Sequence, residues 1–363
     1  MKFKYKVLIL LIFSLVSVIF VWNDYYIYKT PILRITDVQN TLQKDSSSRE
    51  EYYEQKITGI IKNGKYKGNT YTTDNIYSYS GVDNDQYRQN MELLVNISKD
   101  GKHISKIIDI KRDKYIVFLL VFFIDLLLLI TFEKGLKILL SLLVNVVISM
   151  IAIFTFKNNY DSLNMLLLYI GISVLFIVSS LFISNGKHKK TLAAIISSIL
   201  ALFISFSLAF VLVKIYGKSI ELWTMDYIDM VFDYENFFYV SILLCGLGAI
   251  MDIAITISAS LSELIDKKPK IRRSELIESG KEISKDIVGT MVNVMLYTCY
   301  APIIPMVFLA VKNRMPLLAA FNNYGSLDLI IILCSCISIV LAIPISLWVS
   351  VSIFKPKNRE VVK

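Results

Sequence analysis

The chain has 363 residues and a formal net charge of +9 at pH 7, with 55% hydrophobic and 19% charged residues. This balance is too apolar for a soluble domain, and the apolar residues come in runs of about twenty, enough to cross a bilayer. The basic excess lies at the ends of these runs, so it gives no reason to expect nucleic acid as a partner. We therefore predict an α-helical polytopic membrane protein whose surroundings are the lipid bilayer.

About eight transmembrane helices are predicted along the chain, each long enough to cross about 30 Å of hydrocarbon. They lie near residues 7–22, 115–132, 136–156, 163–184, 192–214, 237–260, 288–310 and 327–354. The expected domains are a cytoplasmic N-terminus with an anchor helix (1–22), an extracytoplasmic β domain (23–114), a seven-helix bundle (115–354) and a cytoplasmic tail (355–363).

Loops rich in Lys and Arg set the predicted orientation, because such loops stay in the cytoplasm. Basic residues precede the first span, separate the fourth from the fifth, and follow the sixth and the last, as with Lys2, Lys189, Arg272 and Lys357. We therefore expect a protein of the cell (plasma) membrane with both termini in the cytoplasm and residues 23–114 outside.

Residues 23–114 have the pattern of short β-strands. Hydrophobic residues partly alternate at 32–38, 55–61, 91–98 and 103–110, and turns are indicated at Asn63-Gly64 and Asp100-Gly101. About five strands of this kind predict a small barrel or sandwich, an OB-like fold being one option.

Polar residues recur at helical spacing in three predicted spans, which places them on one face of each helix. They are Gly248, Asp252, Thr256 and Ser260 in the sixth span, Asp286, Thr290, Asn293 and Tyr297 in the seventh, and Ser141, Asn145 and Ser149 in the third. Since polar side chains in lipid are tolerated when they face the bundle, we expect the three faces to share an interior.

Two aspartates, Asp252 and Asp125, lie deep in predicted spans. A carboxylate at membrane depth costs roughly 2.5–3.5 kcal/mol on insertion scales, so it usually has a partner, a cavity or a proton. We expect Asp125 to take a donor from another helix, such as Asn145, or to be neutral. Either aspartate could carry a proton near neutral pH, or could instead be a structural acceptor that holds helices together.

Motifs of enzyme chemistry are missing. There is no His-Glu-x-x-His pair and no Gly-rich phosphate loop, and His103 and His188 lie outside the spans. The Gly-x-Gly-Asp of intramembrane aspartyl proteases is absent around Gly248. We therefore expect no enzymatic activity, no catalytic residues, no metal and no cofactor.

Three stretches of the chain resemble the YibE/F-like family of bacterial multi-pass membrane proteins. They are residues 186–194, 248–252 and 279–293, and the resemblance covers about 60–354. The β-like segment makes the chain similar to the YibE type. Membership implies a plasma-membrane protein whose activity is not established.

The layout is more distantly similar to half of a resistance-nodulation-division permease or of the SecD/SecF motor. In those proteins an anchor helix and an exported domain precede a bundle in which an acid-bearing span is followed by a polar span. This chain departs from them by its smaller exported segment and its extra spans. A single half implies a homo-oligomer or a paralogous YibF-like membrane partner.

Two functions are compatible with these features. The first is an ion-coupled transporter or membrane conformational motor, in which protonation of Asp252 shifts the sixth and seventh helices. Thr290 and Asn293 would donate to its carboxylate, and Asp286 would relay the proton. Gly248, Thr256 and Asn145 would complete the supporting polar face. The second is a non-transporting scaffold or sensor whose β domain binds an envelope component.

Overall fold

The protein is represented by a computed structural model that describes residues 3–43, 51–78, 85–158, 164–216 and 234–354. The tail expected at 355–363 lies outside these residues. The chain divides into two compact units, Met1–Gly135 and Leu136–Lys363. Each unit contains its own hydrophobic core.

Two apolar helices, α1 (Phe3–Trp22) and α2 (Asp113–Ile130), pack against each other in the N-terminal unit. Most of their Leu, Ile, Val and Phe side chains are exposed, as expected of helices that meet acyl chains. A 3-10 turn at Asp24–Tyr26 follows α1 and leads toward the β-strands. α2 occupies the position of the predicted second span.

Five antiparallel strands lie between these helices, which confirms the predicted β-rich domain. They are β1 (Ile32–Gln43), β2 (Tyr52–Ile61), β3 (Thr70–Ser78), β4 (Glu92–Ile97) and β5 (Ile104–Ile110). Their order in the sheet is β3-β2-β1-β4-β5, and the outer strands β3 and β5 approach each other. The sheet is therefore a partly open barrel, as the OB-like option requires.

The barrel is filled by the inward side chains of alternate residues. Leu33, Ile35, Ile57 and Leu93 are at most 1% exposed. A Cβ atom at Gly59 would lie 2.6 Å from the carbonyl oxygen of Arg34, so only glycine fits at this close contact between β2 and β1. β1 has an irregularity between Ile35 and Asp37 beside this contact, and it pairs with both β2 and β4.

The predicted turns are also confirmed. Gly64 and Gly101 have φ values of 71° and 70°, in the left-handed region that glycine adopts readily.

Nine helices make up the described part of the C-terminal unit. They are α3 (Phe132–Asn158), α4 (Met165–Asn185), α5 (Lys189–Tyr216), α6 (Tyr234–Cys245), α7 (Leu247–Lys267), α8 (Arg273–Tyr300), α9 (Ile303–Lys312), α10 (Leu317–Tyr324) and α11 (Ser326–Phe354). α11 packs against α5, α7 and α8, and α7 packs against α5. The core of the unit is thus built around α7 and α11.

Small residues allow close helix contacts in this core. Ser258 of α7 and Ser350 of α11 share a hydrogen bond of 2.9 Å, and both are fully buried. A Cβ atom at Gly280 of α8 would lie 3.2 Å from Leu261 of α7. Such small and polar contacts are typical of helices packed in membranes.

Six apolar helical segments of the described chain are long enough to cross a membrane. They are Tyr5–Trp22, Phe132–Lys157, Met165–Asn185, Lys189–Ile215, Glu235–Lys267 and Ser326–Phe354. α8 and α9 give a seventh if they form one span, which bends by 42°. α2 is helical, but its 18 residues include Asp113, Lys114 and Asp125. The polytopic helical fold is confirmed, whereas the count of about eight stays a prediction.

Two predicted spans are interrupted. The sixth divides at Gly246 into α6 and α7, and the seventh stops after Tyr300 and resumes at α9. Pro302 lies in this second break, where its missing N–H would leave a helical hydrogen bond unmade. Pro344, by contrast, lies inside α11 without ending it.

Candidate functional site

The polar face of α7 lies on the outside of the chain. Gly248, Asp252 and Thr256 are exposed, whereas Ile250 and Ile253 on the opposite face are at most 1% exposed. Helices in lipid ordinarily turn apolar side chains outward, so α7 has the reverse arrangement. Within the described residues the Asp252 carboxyl has neither a hydrogen bond nor an ion pair.

The polar face of α8 is exposed as well. Asp286, Thr290 and Asn293 are all exposed, and Tyr297 on the same face is 70% exposed. The Thr290 hydroxyl donates to the carbonyl oxygen of Ile287 at 2.9 Å, so its donor is already used on its own helix.

The structure contradicts the expected interior shared by the polar faces of a single chain. α7 and α8 are in contact, but the side chains buried along them are mainly apolar or small. Among the described residues, neither Thr290 nor Asn293 donates to Asp252. Within one chain the Asp252 carboxyl is therefore not held by Thr290 or Asn293, and their part in ion coupling stays a prediction. Helical periodicity identified the polar faces of α7 and α8, whereas the expectation of a shared interior depended on packing that periodicity does not determine.

Asn145 of α3 has hydrogen-bond partners on α4. Its amide nitrogen donates to Ser180 at 2.6 Å, and its amide oxygen accepts from Ser179 at 2.8 Å. These bonds satisfy a polar group in the membrane by joining two helices, which is a structural role. The example of Asn145 as donor to Asp125 stays a prediction.

Asp125 instead accepts a hydrogen bond from Ser14 of the neighbouring helix α1. The expectation that its donor comes from another helix is confirmed. Its second oxygen, Oδ1, is buried and has no hydrogen-bond partner among the described residues.

A buried ion cluster joins the sheet to the 3-10 turn after α1 and to the start of α2. The Lys111 ammonium has no exposed surface and lies 2.7 Å from an oxygen of Asp24 and 2.6 Å from one of Asp113. It lies 4.0 Å from Glu92, whose other oxygen is 2.8 Å from Lys114. We refer to these five residues as the Lys111 cluster.

Two tyrosines complete the surroundings of the Lys111 cluster. The Tyr25 hydroxyl donates to Glu92, and the Tyr28 hydroxyl donates to Asp113 at 2.9 Å. Burial, together with the hydrogen bond to Glu92, raises the pKa of Tyr25 to about 12. Burial alone would disfavour the Lys111 ammonium, but hydrogen bonds with Asp113 and Asp24 hold the pKa of Lys111 above its ordinary value.

The sequence carries only a weak signal of this cluster. A mixed run of charges spans the start of α2 and consists of Asp109, Lys111, Arg112, Asp113 and Lys114. Such a run ordinarily marks a solvated boundary between a loop and a span. Burial of Lys111 depends on its pairing with Asp24, 87 residues earlier, and this pairing is a property of the folded barrel.

No group of three or more His, Cys, Asp or Glu side chains that could hold a metal ion is found in the described residues. The four cysteines are free thiols, and the sulfur atoms of Cys245 and Cys299 lie 3.5 Å apart.

Comparison with known proteins gives two family matches. A family model described as YibE/F-like protein matches residues 119–356, and one described as the YibE/F family N-terminal domain matches residues 26–110. No curated protein and no solved structure matches the chain. The two matched regions coincide with the sheet and with the helical region that follows it.

Proposed function

Since this chain belongs to the YibE/F-like family, we propose that it is an ion-coupled transporter or conformational motor of the plasma membrane. The proposal rests on Asp252, a carboxyl without a partner in the described chain, on the polar face of an otherwise apolar helical segment. Ionisable groups at membrane depth are rare because they are costly, and they mark proton and ion pathways.

In one chain alone Asp252 would face acyl chains. The proposed function therefore requires that another protein surface cover the polar face. We assign this cover to a second copy of the chain. The α7 face carries the acceptor Asp252 together with the hydroxyl donor Thr256, so two copies can satisfy each other across a two-fold axis. No atom lies within 4 Å of a Cβ position at Gly248, which leaves room for a neighbouring helix to approach.

Proton exchange at Asp252 would then change the contact between copies. The neutral carboxyl packs as a weak donor and acceptor, whereas the carboxylate requires donors or a cation. The two protonation states therefore favour different arrangements of the paired α7 helices. On α8, Asp286 lies one residue after Lys285 and near the charged first half of the helix, where it would pass protons to water.

Flux measurements in proteoliposomes test this proposal. Vesicles with a trapped pH-sensitive dye receive a pH or sodium gradient, and proton movement is compared between the unmodified chain and Asp252→Asn. Asp266→Asn is the matched control, because Asp266 is an exposed carboxyl at the charged end of the same helix. We expect Asp252→Asn to fall to the rate of protein-free vesicles and Asp266→Asn to keep the unmodified rate.

Equal rates for the unmodified chain and for protein-free vesicles would refute coupled transport. That result would favour the second candidate, a scaffold or sensor, which the separate core of the β-rich unit supports. The scaffold predicts that removal of residues 30–110 abolishes function, while Asp252→Asn acts only through stability.

A further inference from the structure

A cavity of about 640 Å³ opens in the N-terminal unit, where the sheet meets the end of α1 and the start of α2. The side chains on which its chemistry depends are Trp22, Arg34, Lys62, Glu92, Lys114 and Phe118. None of the candidate coupling residues lines this cavity, so a site here is independent of the proposed transport function.

The cavity has an excess of positive charge. Glu92 is its one carboxylate, and this carboxylate is already bound by Lys114 at 2.8 Å and by the Tyr25 hydroxyl. Arg34 and Lys62 make no ion pair within the described residues, and both remain at least partly exposed. Two cations without an ion pair favour an anionic ligand on this wall. Phosphate is an anion that both Arg and Lys bind strongly.

A second wall of the cavity is contributed by α1 and α2 and is largely aromatic. Trp22 is the last residue of the membrane-spanning segment Tyr5–Trp22 and is 55% exposed. Tyr115 and Phe118, in the first turns of α2, are 74% and 56% exposed. Trp and Tyr side chains are enriched at the boundary between water and lipid, so the cavity is placed at headgroup level.

A ligand that satisfies both walls must be amphiphilic. Its phosphate would lie against Arg34 and Lys62, and its apolar part would follow the exposed apolar surface of α2, which continues at Leu119 and Phe122. We propose that this cavity binds the headgroup of an anionic phospholipid. Free phosphate shares the anion chemistry but cannot use the aromatic wall or the helix surface.

Trp22 supplies a local reporter for the test. In the full chain with Trp223→Phe and Trp348→Phe, Trp22 is the remaining tryptophan, and its fluorescence is followed in neutral detergent. The ligands are short-chain phosphatidylglycerol, phosphatidylcholine of the same chain length, and inorganic phosphate. We expect saturable binding of phosphatidylglycerol, at a midpoint about tenfold or more below those of the other two.

Charge-neutralising variants locate the site. Arg34→Gln with Lys62→Gln should raise the phosphatidylglycerol midpoint about tenfold or more, because two charge-assisted contacts are lost. The matched control is Lys56→Gln with Lys106→Gln, which removes the same charge from exposed positions on the same sheet. We expect the control to leave the midpoint unchanged.

Three results would overturn the assignment. They are an absence of saturable binding, equal weakening by the control pair, and equal midpoints for inorganic phosphate and phosphatidylglycerol. If the variant with both Arg34→Gln and Lys62→Gln loses its β-sheet circular dichroism signal, Phe118→Ala is used instead, because Phe118 lies outside the sheet. Phe118→Ala must weaken phosphatidylglycerol binding, and an unchanged midpoint would contradict the proposal.

Discussion

A lysine side chain without solvent contact, such as Lys111, keeps its charge only when nearby carboxylates replace its water. Asp24 does so from the 3-10 turn that follows α1 and Asp113 from the first residue of α2, while Lys111 itself follows β5. Two helices and the sheet are therefore joined by one ammonium group. Loss of that group would leave two carboxylates facing each other without compensation.

We predict that Lys111→Met destabilises the N-terminal unit by about 3–5 kcal/mol, the usual effect of removing one partner of a buried ion pair. Hydrogen–deuterium exchange of peptides from β4 and β5 in the full chain measures this locally. Lys106→Met serves as control, because Lys106 is an exposed lysine of β5. Similar exchange in the two variants would show that the Lys111 cluster contributes little.

At the level of single residues, the sequence predicted conformation better than surroundings. Gly64 and Gly101 were placed in turns correctly because their requirement for positive φ is local. Asp252 and Thr256 were placed on one face correctly because helical periodicity is local too. Whether that face meets its own bundle depends on how α7 packs against α5 and α11, which is not encoded in periodicity.

At the level of elements, the end of α6 contacts the end of α8 through two thiols. Cys245 is the last residue of α6, Cys299 lies in the last turn of α8, and their sulfur atoms are 3.5 Å apart. A disulfide requires an approach to about 2.05 Å, which helix ends can accommodate with a small shift.

We predict that copper phenanthroline, as oxidant, links Cys245 to Cys299 within one chain, with loss of two protons and two electrons from the thiols. The linked peptides are detected by mass spectrometry. Cys299→Ser should abolish the link, whereas Cys334→Ser should leave it intact. Linkage of Cys245 mainly to other cysteines would show that α6 and α8 end differently from the structure.

The elements themselves were largely predictable. Each of the four strand regions that alternate in hydrophobicity corresponds to an observed strand, because one face of the barrel is buried and the other is not. The interruptions of the sixth and seventh spans were harder to place. A proline such as Pro302 is a local signal of a helix break, but Gly246 gives no comparable signal, since glycine is common in membrane helices.

At the level of the whole molecule, the exposed polar face of α7 predicts self-association. In a chain whose four cysteines are replaced by alanine, copper phenanthroline should oxidise Gly248→Cys to disulfide-linked dimers after reconstitution of the purified protein alone, with loss of two protons and two electrons from each pair of thiols. Leu143→Cys is the control, because Leu143 is 61% exposed on the apolar surface of α3. Dimers from both positions would indicate random collision, and dimers from neither would point to a different partner chain.

The order of an anchor helix, a β domain and a helical bundle was evident from the sequence. The continuous hydrophobic segments of helices are much longer than the alternating segments of strands. The division into units was not. The expected bundle begins at 115, whereas the compact N-terminal unit extends to Gly135 and includes α2. This difference arises because α2 packs against α1. The end of α1 at Trp22 and the start of α2 at Asp113 are 91 residues apart in sequence.

The outward polar face of α7 also makes activity depend on abundance. If pairing of two chains shields Asp252, the competent fraction follows mass action within the plane of the bilayer. At low areal density most molecules would be monomeric and inactive, and total activity would rise with the square of the amount expressed. Dilution into excess lipid should therefore abolish the activity of the protein without unfolding it.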